Sequence, residues 1–476
     1  MFAGRHRDLA VLRQQWEGIS ASGRGRAIIV TGRRRVGKSR LVQEFVDQTP
    51  CPSIVFQATR RRQPAAERAD FLRAVADADL EGSALVAGVT ASDWNQALRM
   101  AAVALPSNTP SIVVIDEVPW LMDEDPEFEG ALQTVWDRYL CELPVMLLLV
   151  GSDASVMDTL QRHERAFFGR AATMVVEPLN VAEVRDITSL PAAEAIDAWL
   201  ITGGFPEVVM SWPSGMPRPE FLAQSLANPL SPLLVSGQLT LMGEFAEPSV
   251  ARRVLEAVGA GERTFSSIAR AAGGENALSS GTLSPALKAL ADKRVLAVET
   301  PLSTAPDTRN RRYRVADSYL RFWLAFGPDA VTFSERGRPD IALARIERSW
   351  TSWRGRAVEP LIRDCLKRLL PNDRWPDAMT VGGWWNRANN PEIDLIGADR
   401  EPVARKILFA GSIKWREEQP FDRHDLAALT RAVSAVPNIP DDTPLVAVSR
   451  AGFAEALPAA AAWTPDDLLA AWSQEA

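Results

Sequence analysis

The sequence predicts an α/β chain of several domains: a parallel sheet with intervening helices, a helical lid and connector, a winged three-helix module, and a second α/β domain towards the C-terminus. Three patterns predict it. Five short apolar runs, "AIIVT", "SIVFQA", "SIVVID", "VMLLLVG" and "TMVVEPL", alternate with segments of helical spacing. Farther on, "SVARRVLEAVGAG", "TFSSIARAAG" and "SSGTLSPALKALADKRVL" read as helices leading into "LAVETPLSTAPDTRNRRYRV", a two-stranded wing. Last, the amphipathic helix "RSWTSWRGRAVEPLIRDCLKRLL" precedes "VGGWWNRANNPEIDLIGAD" and "KILFAGSIKW". The boundaries drawn from these patterns are 1–178, 179–245, 246–326 and 340–476.

Bulk composition narrows the function classes. The 476 residues suffice for about three domains of ~150 residues, and 46% hydrophobic with 24% charged residues is ordinary globular composition. A net charge of −7 excludes a surface that coats nucleic acid throughout, so any such contact must use a local basic patch. Cys51, Cys141 and Cys365 are scattered, as are His6, His163 and His424, which argues against a Cys/His zinc site. No repeat of solenoid period is present. The charged start "MFAGRHRDLA" is not a signal sequence, and "LPVMLLLVG" is too short to span a bilayer. A cytoplasmic location with no membrane partner is expected.

The first apolar run enters "GRRRVGKSR", residues Gly32, Arg33, Arg34, Arg35, Val36, Gly37, Lys38, Ser39 and Arg40, and an amphipathic segment with Leu41, Val42, Phe45 and Val46 on helical spacing follows. Strand, glycine loop and helix together are the context of a P-loop, which a chance match in an arginine-rich loop would lack. Backbone N–H groups there wrap phosphates, and the helix N-terminus adds favourable partial charge. Lys38 is placed to reach the β- and γ-phosphates and Ser39 to ligate Mg²⁺, so the cofactors expected are ATP and Mg²⁺.

"SIVVIDEVPWL" closes a buried strand on Asp116 and Glu117. Asp116 is expected to hold Mg²⁺ through water, and Glu117 to polarise the attacking water, in a Walker B arrangement. After "VMLLLVG", Ser152 stands where a γ-phosphate sensor is expected. Ligands of such sheets bind at the strand carboxyl ends.

"FAGRHRDLAVL", "GRRRVGKS", "VVIDEVPWL", "GSDASVM", "FFGRAATMVVEPL" and "TGGFPEVV" resemble, in order and spacing, the motifs of archaeal-type AAA+ ATPases of the STAND branch over roughly the first 210 residues. The resemblance implies that Phe2 to Leu9 line the adenine side. It implies a lid motif at Gly203, Gly204 and Pro206, and it nominates Arg170 as an arginine finger or phosphate sensor, in cis or in trans. The competing reading pairs Arg170 with a surface acid.

"NVAEVRDIT" and "AAEAIDAWL" read as the lid, and "SWPSGMPRPEF" as a proline-rich connector. In the winged module, "GTLSPALKAL" is the would-be recognition helix, its start interrupted at Ser284 and Pro285 and its basic residues limited to Lys288, Lys293 and Arg294. The wing carries Arg309, Arg311, Arg312 and Arg314 around Tyr313, a cluster that would contact DNA phosphates. Relatives of this type also use a winged helix as an internal brace, and both readings stand. "ADSYLRFWLAF" matches the family's D-x-x-x-x-F-W run at Asp317 to Trp323.

The same resemblance gives the last domain a PD-(D/E)XK nuclease-like fold, with Glu359, Asp394, Ser412 and Lys414 at the site positions. Alternation puts Glu392 with Asp394, and Ser412 with Lys414, each pair on one strand face. Ser412 supplies no carboxylate where Mg²⁺ chemistry requires one, so the site reads as disarmed unless Glu392 or Glu359 compensates. The chain is therefore expected to be an Mg²⁺-dependent ATPase and multidomain switch that acts on or with DNA, with an inactive nuclease-like domain. Its alternatives are a nucleotide-gated scaffold with little turnover and an ATP-regulated nuclease of defence or repair. A protein partner or self-association also fits the switch reading.

Overall fold

The computed structural model describes residues 2–244, 249–307, 309–454 and 457–473. The chain divides into two compact units, Met1–Leu179 and Asn180–Ala476. The sequence-drawn boundary at 245/246 lies outside the described residues.

In the first unit, helix α1 (His6–Ser22) precedes β1 (Arg26–Thr31), α2 (Lys38–Gln48), β2 (Ser53–Gln57), α3 (Pro64–Ala76) and α4 (Trp94–Ala104). Then come β3 (Ser111–Asp116), α5 (Val118–Glu124), α6 (Phe128–Arg138), β4 (Val145–Val150), α7 (Ala154–Thr159) and β5 (Ala171–Val175). The strands form one parallel sheet in the order β2-β3-β4-β1-β5, an α/β arrangement of P-loop type. β3 and β4 are buried along their whole length, as their unbroken apolar runs require. The edge strands β2 and β5 are not: each leaves side chains exposed, and β5 begins at Ala171, ahead of the expected "TMVVEPL". An edge strand has a neighbour on one side only, so fewer of its side chains are covered. One face of the sheet is sealed by edge-to-face contacts running Phe56–Phe71–Trp94–Phe128.

The second unit opens with α8 (Val181–Thr188), α9 (Ala192–Thr202), α10 (Pro206–Met210), α11 (Arg218–Ala227) and α12 (Pro232–Glu244). The connector is more helical than expected. α12 is apolar on nearly every side and so shows no amphipathic period. Its partner crosses at Gly237, where an added Cβ would lie 2.2 Å from the Trp323 ring.

Where a winged module was expected, three helices follow, α13 (Val250–Gly259), α14 (Phe265–Gly273) and α15 (Ser280–Asp292), with the antiparallel pair β6 (Leu296–Glu299) and β7 (Arg312–Val315). α15 runs through Pro285 without a break, contrary to the interruption expected. Pro285 and Gly281 are both exposed, so the Gly281 carbonyl, which Pro285 cannot serve as donor, lies on the solvent side of the helix.

Asp317 caps α16 (Ser318–Glu335), accepting from the Leu320 backbone N–H at 2.6 Å, and Tyr319 and Trp323 donate to the Leu233 and Leu234 carbonyls of α12. Helix α17 (Pro339–Leu369) leads to β8 (Thr380–Trp385), β9 (Glu392–Ala398), β10 (Ile407–Lys414), α18 (Arg423–Val433), β11 (Leu445–Ser449), β12 (Ala461–Trp463) and α19 (Pro465–Ser473). The second sheet is mixed, in the order β12-β11-β10-β9-β8, antiparallel through β8, β9 and β10 and parallel through β10, β11 and β12. Among the described residues no helix is long and apolar enough to cross a membrane.

Candidate functional site

β1 ends at Thr31 and the chain turns at Gly32, whose φ of 150° and 2.3 Å approach of any added Cβ to the Val176 carbonyl require glycine. Gly37, at φ 90°, starts α2. Between them Val36 is fully buried and anchors the loop, while Arg34 and Arg35 project to solvent. Arg33 is half-buried, and Ser39 and Arg40 are exposed on the first turn of α2. Lys38 is 6% exposed, and its Nζ donates to the Gly32 and Arg33 carbonyls at 2.9 and 2.8 Å. Burial pulls its ammonium down to about 8, although Glu117 and Asp116 act in the opposite direction.

Asp116 ends β3, buried, with Oδ1 accepting from the Glu117 N–H at 2.9 Å. Glu117 sits in the left-handed region at φ 57°. Ser152, just past β4, donates its hydroxyl to both Glu117 carboxylate oxygens, at 3.2 and 3.0 Å. Because β3, β4 and β1 are neighbours, their carboxyl ends bring together Lys38, Asp116, Glu117 and Ser152. Ser39 and Asp116 offer the hard oxygen donors that Mg²⁺ prefers, and the buried lysine beside them suits a phosphate.

Arg5 was not singled out by the sequence motif that contains it. It is buried, at φ 65°, and its guanidinium donates to the Val36 carbonyl at 2.6 Å and to the Glu177 carbonyl, so the segment before α1 clamps the P-loop to the end of β5. The signal available was "GRHRD", where an arginine precedes the helix that Asp8 opens.

Arg170 lies elsewhere. Its neighbour Ala171 pairs with Ala27 at the amino end of β1, five residues before Gly32, or roughly 16 Å along the strand. Its guanidinium grips Asp137 of α6 with two bonds of 2.7 and 2.8 Å and donates to the Ala166 and Phe168 carbonyls. The pairing with a surface acid is what forms, and a role in cis on this P-loop is withdrawn because the sheet separates the two. Gly203, Gly204 and Pro206 belong to the second unit, where Gly203 abuts the Tyr319 backbone too closely for any Cβ.

Residues 1–147 match the family model of an AAA ATPase domain. The chain carries an AAA ATPase domain. Residues 323–426, from α16 into α18, match a second family, described as archaeal and bacterial proteins of unknown function. An uncharacterized protein of Methanocaldococcus jannaschii is 23% identical over 428 residues, covering 89% of each chain. Among solved structures, a Walker-type ATPase of Pyrococcus abyssi is similar at a TM-score of 0.46 and 16% identity, over 68% of this chain and 96% of its own. The ORC2 protein of Aeropyrum pernix is similar at a TM-score of 0.44 and 12% identity, over 70% and 95%.

In the C-terminal sheet β9 and β10 are neighbours, and the Ser412 hydroxyl and Ile413 N–H both donate to Asp394 Oδ2, at 2.9 and 2.8 Å. Glu359, Glu392 and Asp394 place carboxylate oxygens within 4.8 Å of one another. Guanidinium groups already supply the positive charge there. Arg363 bonds Glu359 at 3.1 Å and the Asp394 carbonyl at 2.9 Å, and Arg312 grips both oxygens of Glu392 at 2.9 Å. Burial pushes Glu359 up to about 7, helped by Asp394 and Glu392 and opposed by Arg363. Asp394 is raised by burial against its hydrogen bonds. Burial works on Glu392 too, but Arg312 outweighs it and holds that carboxyl below its usual range. Lys414 lies 3.9 Å from Asp425 and also acts on Asp394, favouring its charged form. These residues fit a divalent metal poorly, since two of the three carboxylates are already paired.

The basic wing needs correction. Arg312 is 5% exposed, stacked 4.2 Å over Trp385 as well as paired with Glu392, and Arg314 is bound to Glu299 at 2.6 Å. Both are occupied within the protein and are withdrawn as DNA contacts. The loop between β6 and β7 also docks: the Leu302 N–H donates to the Gly383 carbonyl at 2.8 Å, and the Leu302 side chain enters the core beside Trp384 and Ile393. Through Leu302 this loop clasps β8. Arg309 and Arg311 remain exposed.

Proposed function

We propose that the protein is an Mg²⁺-dependent ATPase of the STAND type that uses nucleotide state to reposition its second unit, acting on or with DNA. The observation that supports it is the meeting of Lys38, Asp116, Glu117 and Ser152 at adjoining strand ends within an AAA ATPase domain. Lys38 and the P-loop amides hold the β- and γ-phosphates, Ser39 and Asp116 would hold Mg²⁺, and Glu117 takes a proton from the attacking water. Bound Mg²⁺ neutralises charge on the phosphates. Lys38→Ala should abolish or strongly weaken ATP binding at the P-loop, whereas Glu117→Gln should keep binding and stop turnover; unchanged turnover in Glu117→Gln would refute the assigned base.

A second reading, a nucleotide-gated scaffold with slow turnover, draws support from the Ser152–Glu117 bond, because a carboxylate engaged by that hydroxyl must release it before it can take a proton from water. DNA contact would fall to Arg309 and Arg311, and replacing both by Ala should weaken duplex binding about equally across sequences. Parental affinity in that double variant would remove DNA from the reading. The nuclease-like domain is inactive in this proposal. Divalent-metal-dependent DNA cleavage that vanishes in both Asp394→Ala and Lys414→Ala would show the opposite.

A further inference from the structure

The winged module, α16 and α17 enclose an open cavity of about 460 Å³ that no part of the ATPase or acid-cluster reading uses. Five arginines line it: Arg263 after α13, Arg314 on β7, Arg321 on α16, and Arg348 and Arg356 on α17. Among the described residues no aspartate or glutamate lines it. Trp353 forms part of its wall, and residues 348, 352 and 356 recur on one face of α17. The volume falls within the range of small-ligand pockets, roughly 300–1,000 Å³.

The arginines differ in what already holds them. Arg314 is bound to Glu299, and Arg263 stands 3.9 Å from Glu392. Arg321 donates to the Arg356 carbonyl at 3.1 Å and has no ion-pair partner among the described residues. Arg348 and Arg356 make no side-chain hydrogen bond or ion pair among the described residues. Burial, with Arg314 next, pulls the Arg321 guanidinium down to about 10, and Arg356 adds to this; Glu359 and Glu299 oppose it without lining the cavity. The fold thus crowds like charges around a concave space with no counter-charge in it, a cost that a bound polyanion would remove.

We infer that this cavity is a binding site for a phosphate chain, two or more linked phosphoryl groups presented together, as in inorganic triphosphate or the phosphates of a nucleotide. Planar guanidiniums match phosphate oxygens with paired bonds, and several converging on one space favour a multiply charged anion over a single phosphate. A nucleic-acid backbone would call for an extended basic stripe, whereas these side chains converge on a pocket.

Calorimetric titration of the full chain with inorganic tripolyphosphate, without divalent metal, tests this. Lys38→Ala is the background, to remove competing phosphate binding at the P-loop. One saturable site is expected there, and adding Arg348→Ala with Arg356→Ala, both exposed and so tolerated by the fold, should weaken it about tenfold or more, the loss of at least one charge-assisted bond. Unchanged affinity in the triple variant, or no saturable binding in Lys38→Ala, overturns the inference. ATP binding at least about tenfold tighter than tripolyphosphate on the same background would identify a nucleotide as the source, and equal affinity the phosphate chain alone. A duplex that binds where tripolyphosphate does not overturns the inference in favour of a nucleic-acid grip.

Discussion

At Glu117 the backbone turns left-handed, a conformation that costs a non-glycine residue about 1–2 kcal/mol, and the carboxylate accepts the Ser152 hydroxyl. Both features place the would-be base against β4. A γ-phosphate sensor and a restraint on the base are different jobs for Ser152, and they separate by sign. If the hydroxyl mainly restrains Glu117, Ser152→Ala should raise steady-state ATP turnover, by roughly tenfold or more for one hydrogen bond to a charged group. If it mainly reads phosphate, the same change lowers turnover. The expected outcome is the rise, read in a phosphate-release assay at saturating ATP.

Among the elements, the wing most changes the functional picture. β6 and β7 carry Glu299 and Arg314 as a pair, with Arg363 of α17 3.7 Å from the same carboxylate. Burial raises the Glu299 carboxyl, but Arg314 and Arg363 outweigh it and hold it below the usual range. A carboxyl lowered by folding contributes stability that is present above its unfolded pKa and lost as pH falls through its folded value. Glu299→Gln should therefore lower the melting temperature at pH 7, and its deficit against the parent should shrink on acidification below about pH 4, which thermal melts across pH will show. What sequence revealed and hid divides along similar lines. β1, β3 and β4 were legible because strands covered on both faces read as unbroken apolar runs beside short polar motifs. The wing's basic cluster was legible as a cluster but not as a clasp. Arg312 meets Glu392 across 80 positions, and nothing in "RNRRYRV" tells an arginine aimed at solvent from one stacked on Trp385. Helix α12 was hidden for the opposite reason: apolar residues such as Leu239 and Met242 stand on its exposed side as well, so no polar face sets a period.

Across the second unit, one buried carboxylate joins distant stretches of chain. Asp197 of α9, 3% exposed, accepts from Arg354 of α17 at 2.9 Å, from the Trp415 indole after β10 at 3.0 Å, and from Arg450 after β11 at 3.2 Å. Arg354 is fully buried and also donates to Glu417 and to the Trp415 carbonyl. Removing one partner of a buried ion pair typically costs about 3–5 kcal/mol, because the other is left uncompensated. Asp197→Ala should lose about that much in a denaturant melt, with far less from Glu417→Ala, whose carboxylate is 51% exposed. A loss under about 1 kcal/mol would mean that water replaces the aspartate.

The Asp197 junction also bears on where the chain can be cut. Sequence patterns invite a division at residue 340, which would release the second sheet as a free-standing fragment. Such a fragment would keep Arg354, Arg450 and Trp415 but lose the acid they share, which lies 157, 253 and 218 positions away from them. It would also lose Leu302 from its core, together with Arg312, the guanidinium that balances Glu392. Limited proteolysis should accordingly yield a resistant piece that begins near 180 rather than near 340. The helices resembling a lid would then be inherited, lost and exchanged together with the C-terminal sheet, as parts of a single heritable module.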